Sequence, residues 1–511
     1  MNRGGHGTAL EAGSPGGFRP CLIHPDCHMT ATTMMRCWWG ILLLPVVLGL
    51  FTTSASAQDR LDPVAMGKAR ASVASARGLG ALVSNPGGLH LPVSNAVTLS
   101  NDLVLSLYNF GGTIGSTYFS SSDFEQIFGR SVGWPEQNDR RRLAELLQDE
   151  RLFANGANNL IEARYRTDAY TVGLYYGHRL YARLNFPDEF KRVLETGELL
   201  SEQYRFINRG VGGSWVTELG FSFGTSFDNR SGHGWFGPIG VGATVKLLSG
   251  VAQFGVDDNS HITIDQKTLG GTRSYVIRGG YAIRSSQPDE FDPSSAVSQF
   301  QLGMFPSTAG LGFGLDLGVS GVLYAVRTSQ VSVEVPAVTF GLAVQNLGRI
   351  TWSGNNYLRM QSGINDTLRN AALDNEFFKK YEGRPLPTTE YSTAVPAVFR
   401  AGLALNVKAL AREMDGEMMV DIEGEVPLNS VPGNTTDPRL AVGADWTINE
   451  TFAVRGGVSA GGIGGFGVGL GVGVRPIEQL TIDVGTSELN ALIGGERVDL
   501  AIRLALGLGD S

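Results

Sequence analysis

The sequence predicts an all-β fold, a transmembrane antiparallel β-barrel of about 14 strands (up to about 16), with an N-terminal plug and helical insertions in its long outer loops. Three observations lead there. Long runs of residues alternate between apolar positions and polar or glycine positions. One short apolar segment lies near the N-terminus, and no later apolar run approaches the ~20 residues that a spanning helix needs. The connections between the alternating runs are short and long by turns.

The N-terminal segment reads as an export signal. Arg36 is its positive flank, Cys37 to Phe51 is almost wholly apolar, and the small residues Ala55 and Ala57 precede Gln58. That order of charge, apolar run and small-residue site is a cleavable signal with the cut before Gln58. Residues 1–57 are therefore assigned to the signal segment, and Met34 or Met35 is the more natural start of translation. Cys21, Cys27 and Cys37 all precede the cut, so the mature chain has no disulfide, thiolate metal site or cysteine nucleophile.

The alternation carries the barrel assignment. Leu219, Phe221 and Phe223 alternate with Glu218, Gly220, Ser222 and Gly224. Leu311, Phe313, Leu315, Leu317 and Val319 alternate with Gly312, Gly314, Asp316, Gly318 and Ser320. The same pattern runs through 239–247, 399–407, 466–474 and 498–506. A period of two places one face in an apolar medium and the other in a polar one. The runs are about 9–11 residues, the length of a tilted membrane strand. A soluble β-sandwich is the competing fold, but its strands are usually nearer 5–6 residues.

Counted from Asn95, the short connections fall near Thr167, Thr328, Asn449 and Pro476, and the long ones near 111–157, 187–210, 286–308 and 347–394. Outer-membrane barrels have this asymmetry between their two ends. Helical patterns are expected at Asp139–Phe153, Pro187–Glu202 and Asn365–Tyr381. The Arg140–Arg142 run is a solvated helix face, or else touches acidic lipopolysaccharide groups. Tyr170, Tyr175, Tyr176, Tyr181, Phe186, Trp215 and Trp235 are candidates for an interfacial aromatic girdle.

Residues 58–94 do not alternate, yet carry Leu79, Leu82, Val83, Leu89 and Leu91, which need cover. Asn85-Pro86-Gly87-Gly88 marks a tight turn. This segment is assigned as a plug with that turn as pivot, and residues 95–511 as the barrel. A structural turn at the entry to the first strand is the alternative. Inward glycines such as Gly312, Gly314, Gly467, Gly469 and Gly471 would give the segment room.

The formal charge is −8, and losing Arg3, Arg19, Arg36, Glu11 and Asp26 with the signal makes the mature chain one unit more negative. With no basic block, nucleic acid is excluded as a partner. No phosphate-binding loop, zinc-helix or nucleophile-elbow motif occurs, the GxG strings lie within alternating runs, and the mature histidines lack ligand spacing. Hence no enzyme activity, cofactor or metal is expected. Alternation places Glu218, Lys246, Arg278, Asp316, Arg400, Lys408, Arg475 and Asp483 towards the lumen, and Asp421, Glu423, Glu425, Asp445, Arg455 and Arg503 with them. Paired charges are the expected state, because unpaired ones in a narrow lumen are costly.

Ala65 to Leu91 (AMGKARASVASARGLGALVSNPGGLHL), with its small residues leading to Asn-Pro-Gly-Gly-Leu, resembles the start of fatty-acid-transporter-like outer-membrane barrels. Gly312 to Gly318, Val344 to Ile350, Pro396 to Gly402 and the glycine-rich C-terminal hairpins are similar to the PorV-like branch. The end, Leu506 to Ser511, departs from the aromatic terminus of many such barrels. The resemblance implies a bacterial outer-membrane location among lipid and lipopolysaccharide. It also implies passive transport or binding of an apolar or small solute through a plugged, porin-like barrel. The alternative is a scaffold that serves secretion or envelope proteins.

Overall fold

The computed structural model describes residues 62–93, 98–115, 152–184, 192, 203–205, 211–227, 237–256, 260–269, 272–287, 305–327, 334–369, 384–411, 414–434, 437–462, 465–489 and 497–508. Fourteen of its strands form one closed wall. They are β1 (Leu103–Gly115), β2 (Leu152–Arg166), β3 (Thr171–Leu184), β4 (Gly212–Phe227), β5 (Ile239–Val256), β6 (Gly310–Arg327) and β7 (Glu334–Trp352). The second half is β8 (Val398–Asn406), β9 (Glu417–Pro427), β10 (Arg439–Thr447), β11 (Phe452–Gly461), β12 (Gly467–Ile477), β13 (Leu480–Thr486) and β14 (Arg497–Leu508). Each pairs antiparallel with the next. The ring closes where β1 pairs with β14, from Leu103 opposite Leu508 to Gly115 opposite Arg497. The first strand therefore starts at Leu103, later than Asn95.

The two faces differ as the alternation requires. On β6, Leu311, Phe313 and Leu317 are exposed, whereas Gly314, Asp316, Gly318 and Ser320 are buried. Phe221, Val245, Leu403, Val454, Leu470 and Leu500 continue the exposed apolar belt around the wall. In water such a belt would be a large unfavourable patch. Against hydrocarbon it is the favourable contact of a transmembrane barrel. Among the described residues no helix is long and apolar enough to cross a membrane.

The connections after even-numbered strands, several of them as short as 167–170, 448–451 and 478–479, gather at one end of the wall. The connections β1–β2, β3–β4, β5–β6 and β7–β8 are long and lie at the other end. They carry six further strands outside the ring. Residues 261–269 and 272–287 form a hairpin, joined by 203–205 on one side and by 355–369 and then 384–387 on the other. The hairpin meets the wall where Gln253–Val256 of β5 pairs with Ile283–Ser286. Residues 391–394 pair with the end of β7.

Several expectations change here. Leu152 and Phe153 open β2 rather than end a helix, and 139–151 lie outside the described residues, as does all of 187–202 except Arg192. Asn365–Arg369 is extended, because it pairs with Ser274–Arg278; residues 370–381 are outside the described set. Tyr175 and Tyr181 do not join a girdle. They sit at inward positions and are buried, while Tyr170 and Tyr176 face outwards. Trp215 is buried at the outward edge of a bulge between it and Val216.

Leu470→Arg puts a charge on the lipid face of β12, so it should cost about 2–4 kcal/mol if it lies near the midplane. Equilibrium unfolding in lipid vesicles measures this, and a variant as stable as the parent would overturn the facing assignment.

Candidate functional site

The interior of the ring is occupied by residues 62–93. Asp62 caps the short helix α1 (Pro63–Gly67) by accepting from the Ala65 amide. The chain then turns through positive φ at Ala69 and Arg70, forms α2 (Gly78–Ser84), and makes a one-turn 3₁₀ helix at Pro86–Gly88. Leu79, Leu82, Val83, Leu89 and Leu91 are all buried, so the apolar residues of this segment have found cover inside the barrel.

The Asn85–Gly88 turn rests on the wall. Asn85 Oδ1 accepts from the Gly87 amide at 3.0 Å, and Asn85 Nδ2 donates to Val73 O at 2.8 Å and Val319 O of β6 at 3.1 Å. A Cβ on Gly87 would lie 2.6 Å from Val319 Cα, and one on Gly318 would meet Asn85 Oδ1 at 2.1 Å. Backbone thus lies directly on backbone, which glycine alone permits. Gly469 and Gly471 do the same opposite Ala69 and Gly67. Gly312, Gly314 and Gly467 do not: they abut Arg349–Ile350, Lys246, and Ser459 with Ser487 and Glu488, all parts of the wall or its loops.

Charged side chains of the wall hold the 68–73 turn through its backbone. Glu423 Oε2 accepts from the amides of Ser72 at 2.6 Å and Val73 at 2.7 Å. Arg439 donates to Ala69 O at 2.9 Å and Arg400 to Arg70 O at 3.1 Å. The same arginines pair with the carboxylates: Arg400 with Glu423 at 2.5 Å, and Arg439 with Glu425 at 3.0 Å. Lys68 reaches Asp421 at 2.8 Å, and Arg70 reaches Asp499 at 3.0 Å. At the start of the segment Asp62 pairs with Arg503 at 2.7 Å. Arg503 also holds Asp483, which Arg455 joins to Asp445.

On the opposite wall Glu218 pairs with Arg179 at 3.3 Å and accepts from Tyr175. Lys246 pairs with Asp316 at 2.7 Å and donates to Asn346 Oδ1. Asn346 lies at positive φ in a β7 bulge, donating its amide to Asp316 at 2.6 Å. Its neighbour Gln345 donates to Ser84 O at 2.6 Å. Burial and the nearby Arg166 lower the His90 pKa, and its Nδ1 lies 3.0 Å from Thr171 Oγ1.

Glu218, Lys246, Asp316, Arg400 and Asp483 thus lie on the inner face. Arg278, Lys408 and Arg475 do not. Arg278 belongs to the hairpin beyond the wall, where it is half exposed beside Asp265. Lys408 follows the end of β8: the strand stops at Asn406, whose side chain caps a four-residue helix, and Lys408 is exposed on it. Arg475 sits where β12 loses register before its tight turn, and donates to Glu478 O. Sequence reasoning missed Arg179, Arg439 and Asp499, although their parity within β3, β10 and β14 matches that of inward neighbours. It also missed Gln345 and Asn346, which a bulge brings to one side.

Between the segment and the short-turn end lies a cavity of about 490 Å³. Leu79, Leu91, Leu99, Val322 and Met419 give it apolar walls, and Asp62, Lys68, Arg77, Asp483 and Arg503 supply charge. Towards the long-loop end, the inward residues Val216, Leu248, Ile350 and Trp352 form an apolar cluster with Ala309 and Val395.

The chain belongs to a family of unknown function (DUF5723), matched over residues 96–480. No curated protein matches its sequence. Among solved structures it is similar to the Ralstonia pickettii toluene transporter TbuX, at 13% identity and a TM-score of 0.43, covering 87% of this chain and 98% of that one. A Pseudomonas aeruginosa FadL homologue matches at 12% identity and 0.40, covering 89% and 98%. The P. putida toluene transporter TodX matches at 10% identity and 0.40, covering 88% and 99%. The strand pairing, not these likenesses, establishes the barrel.

Glu423→Ala removes the acceptor of two amides and leaves buried arginines short of a partner. Breaking a buried pair this way costs about 3–5 kcal/mol. Hydrogen exchange at Ser72 and Val73 should accelerate while amides of β12 and β14 stay protected. Unchanged exchange at Ser72 would mean that Glu423 does not hold the turn.

Proposed function

We propose that this protein is a plugged outer-membrane channel for small apolar solutes, in which residues 62–93 close the lumen and give way to open it. The observation that carries this is the seat of the segment inside the ring, where its leucines pack against Val104 and Tyr175 and its polar contacts with the wall are made largely by its backbone. Hydrogen bonds and ion pairs of this kind exchange for water at a modest net cost each, so the segment can leave the wall without unravelling it. The apolar cluster at the long-loop end and the partly apolar cavity beyond the segment favour a solute with little polarity. A barrel of this strand number would otherwise hold an aqueous lumen. The signal-like N-terminus and the apolar exterior support an outer-membrane location with lipid and lipopolysaccharide as its surroundings, and a mature chain beginning at Gln58.

Deleting residues 62–90 and recording single-channel conductance in planar bilayers tests the closure. The deleted barrel, still folded, should conduct more than the full-length protein. Equal conductance would rule the plug out. If the full-length protein also brought down stoichiometric envelope or secretion proteins, a scaffold role would replace transport. Fractionation checks the location independently, and recovery from the soluble periplasm without detergent would refute it.

A further inference from the structure

The connection between β9 and β10 reaches across the mouth of the barrel at the long-loop end. Residues 428–434 leave β9 after Pro427, yet they touch β3 and β4. Four strands of the wall lie between β4 and β9 on one side, and six lie between β10 and β3 on the other. Among the described residues no strand pairing joins these regions. The contact is therefore made over the lumen and not along the sheet.

This strap is laced to the wall at its base. Asn429 Nδ2 donates to Val395 O at 2.8 Å, and Asn429 Oδ1 accepts from the Ala397 amide at 3.3 Å. The Leu428 amide donates to Ala397 O at 2.8 Å. Val395 is itself part of the apolar cluster with Val216, Leu248, Ile350 and Trp352. The base thus rests on the segment that leads into β8.

The tip is a small turn closed by its own bond, from the Asn434 amide to Val431 O at 2.9 Å. It is held on the far wall by other means. Arg183 of β3 donates to Asn434 O at 2.8 Å. Gly433 packs on the Tyr181 ring at φ +89°, where an added Cβ would lie 2.8 Å from Tyr181 Cγ. Glycine alone takes that backbone conformation at that approach without strain. On β4, a Cβ added to Gly212 would lie 3.3 Å from Pro432 Cγ.

Strand β4 passes two closures. It meets the strap at Gly212 and the N-terminal segment at Gly224, where an added Cβ would lie 2.8 Å from Leu89 Cβ. The inward residues Ser214, Val216, Glu218, Gly220 and Ser222 line the wall between them. This stretch of lumen is bounded by the strap at one end and by residues 62–93 at the other.

We infer that residues 428–434 are a gate at the long-loop mouth, separate from the N-terminal segment. The tip Val431–Asn434 lifts from Arg183 and Tyr181 to admit a solute, while Asn429 keeps the base on the wall. The inference rests on the channel reading above. A solute of low polarity is then held between two closures, against the apolar cluster, and each closure opens by local release of one segment.

The chain has no cysteine after Cys37, so one placed on the wall is the single thiol of a chain that begins at Gln58. In the full mature chain folded in detergent, Val216→Cys reports the space beneath the strap. Met419→Cys reports the cavity on the other side of the N-terminal segment. The rate of modification by a small water-soluble methanethiosulfonate is measured at each. Arg183→Ala, which removes the donor to the tip, should raise the rate at Val216→Cys about tenfold. Gly433→Ala, which forces the tip off the Tyr181 ring from the loop side, should do the same. Arg183→Lys keeps a donor and should stay near the parent rate, and Met419→Cys should not respond to any of the three. Equal rates at Val216→Cys in the parent, Arg183→Ala and Gly433→Ala would overturn the gate and leave closure by residues 62–93 standing. A matching rise at Met419→Cys would mean that the barrel loosens as a whole, and would also overturn it. If instead deletion of residues 62–90 fails to raise conductance, labelling at Val216→Cys still reports whether the strap opens.

Discussion

Closure of the sheet between β1 and β14 is the contact on which everything else depends. Leu103–Gly115 and Arg497–Leu508 lie almost four hundred residues apart in sequence and exchange hydrogen bonds along their full length. Left open, both strands would carry unpaired backbone groups into hydrocarbon, at several kcal/mol for each group. Closure removes the edges and encloses a lumen. It also sets the inner diameter, and so fixes how much chain the lumen can hold. The bulge between Ser106 and Tyr108 lies in this same seam.

Once the lumen exists, its contents follow from electrostatics. A charge in that enclosed space loses much of its hydration and must recover it from partners. The wall meets this with chains of alternating sign, such as Asp445–Arg455–Asp483–Arg503–Asp62. The last of these residues belongs to the N-terminal segment rather than the wall. Lys68 with Asp421 and Arg70 with Asp499 repeat the arrangement. The segment therefore completes the ion pairing of the barrel as well as occupying its space, and the two are coupled. Glycine supplies the steric half of the fit at Gly318, Gly469 and Gly471, where backbone meets backbone.

The bulges matter more than their number suggests. In β7 one turns Gln345 and Asn346 together towards the lumen, so that the Gln345 side chain holds Ser84 while Asn346 holds the Lys246–Asp316 pair, accepting from Lys246 with its side chain and donating its backbone amide to Asp316. In β2 another aligns Asn159 with Glu162. Each adds one residue to one strand and re-aims side chains there.

By itself the sequence determined the fold class, because period-two alternation is a local property that hydrocarbon on one side and polar groups on the other enforce. The exposed Leu311, Phe313 and Leu317 against buried Gly314 and Asp316 could be written down from residue parity alone. So could the Asn85–Gly88 turn, since its proline and glycines act through local backbone geometry. Only the tertiary structure decided where alternation stops belonging to the wall. Arg278, Lys408 and Arg475 continue a polar parity in the sequence but lie in an outer hairpin, a helical turn and the irregular end of β12, because strand pairing and not composition sets where each strand leaves the ring. It likewise decided which charges meet. Glu423 and Ser72 are 351 positions apart, and nothing in either stretch of sequence encodes their contact. That contact is a product of closure, which brings distant strands around one lumen.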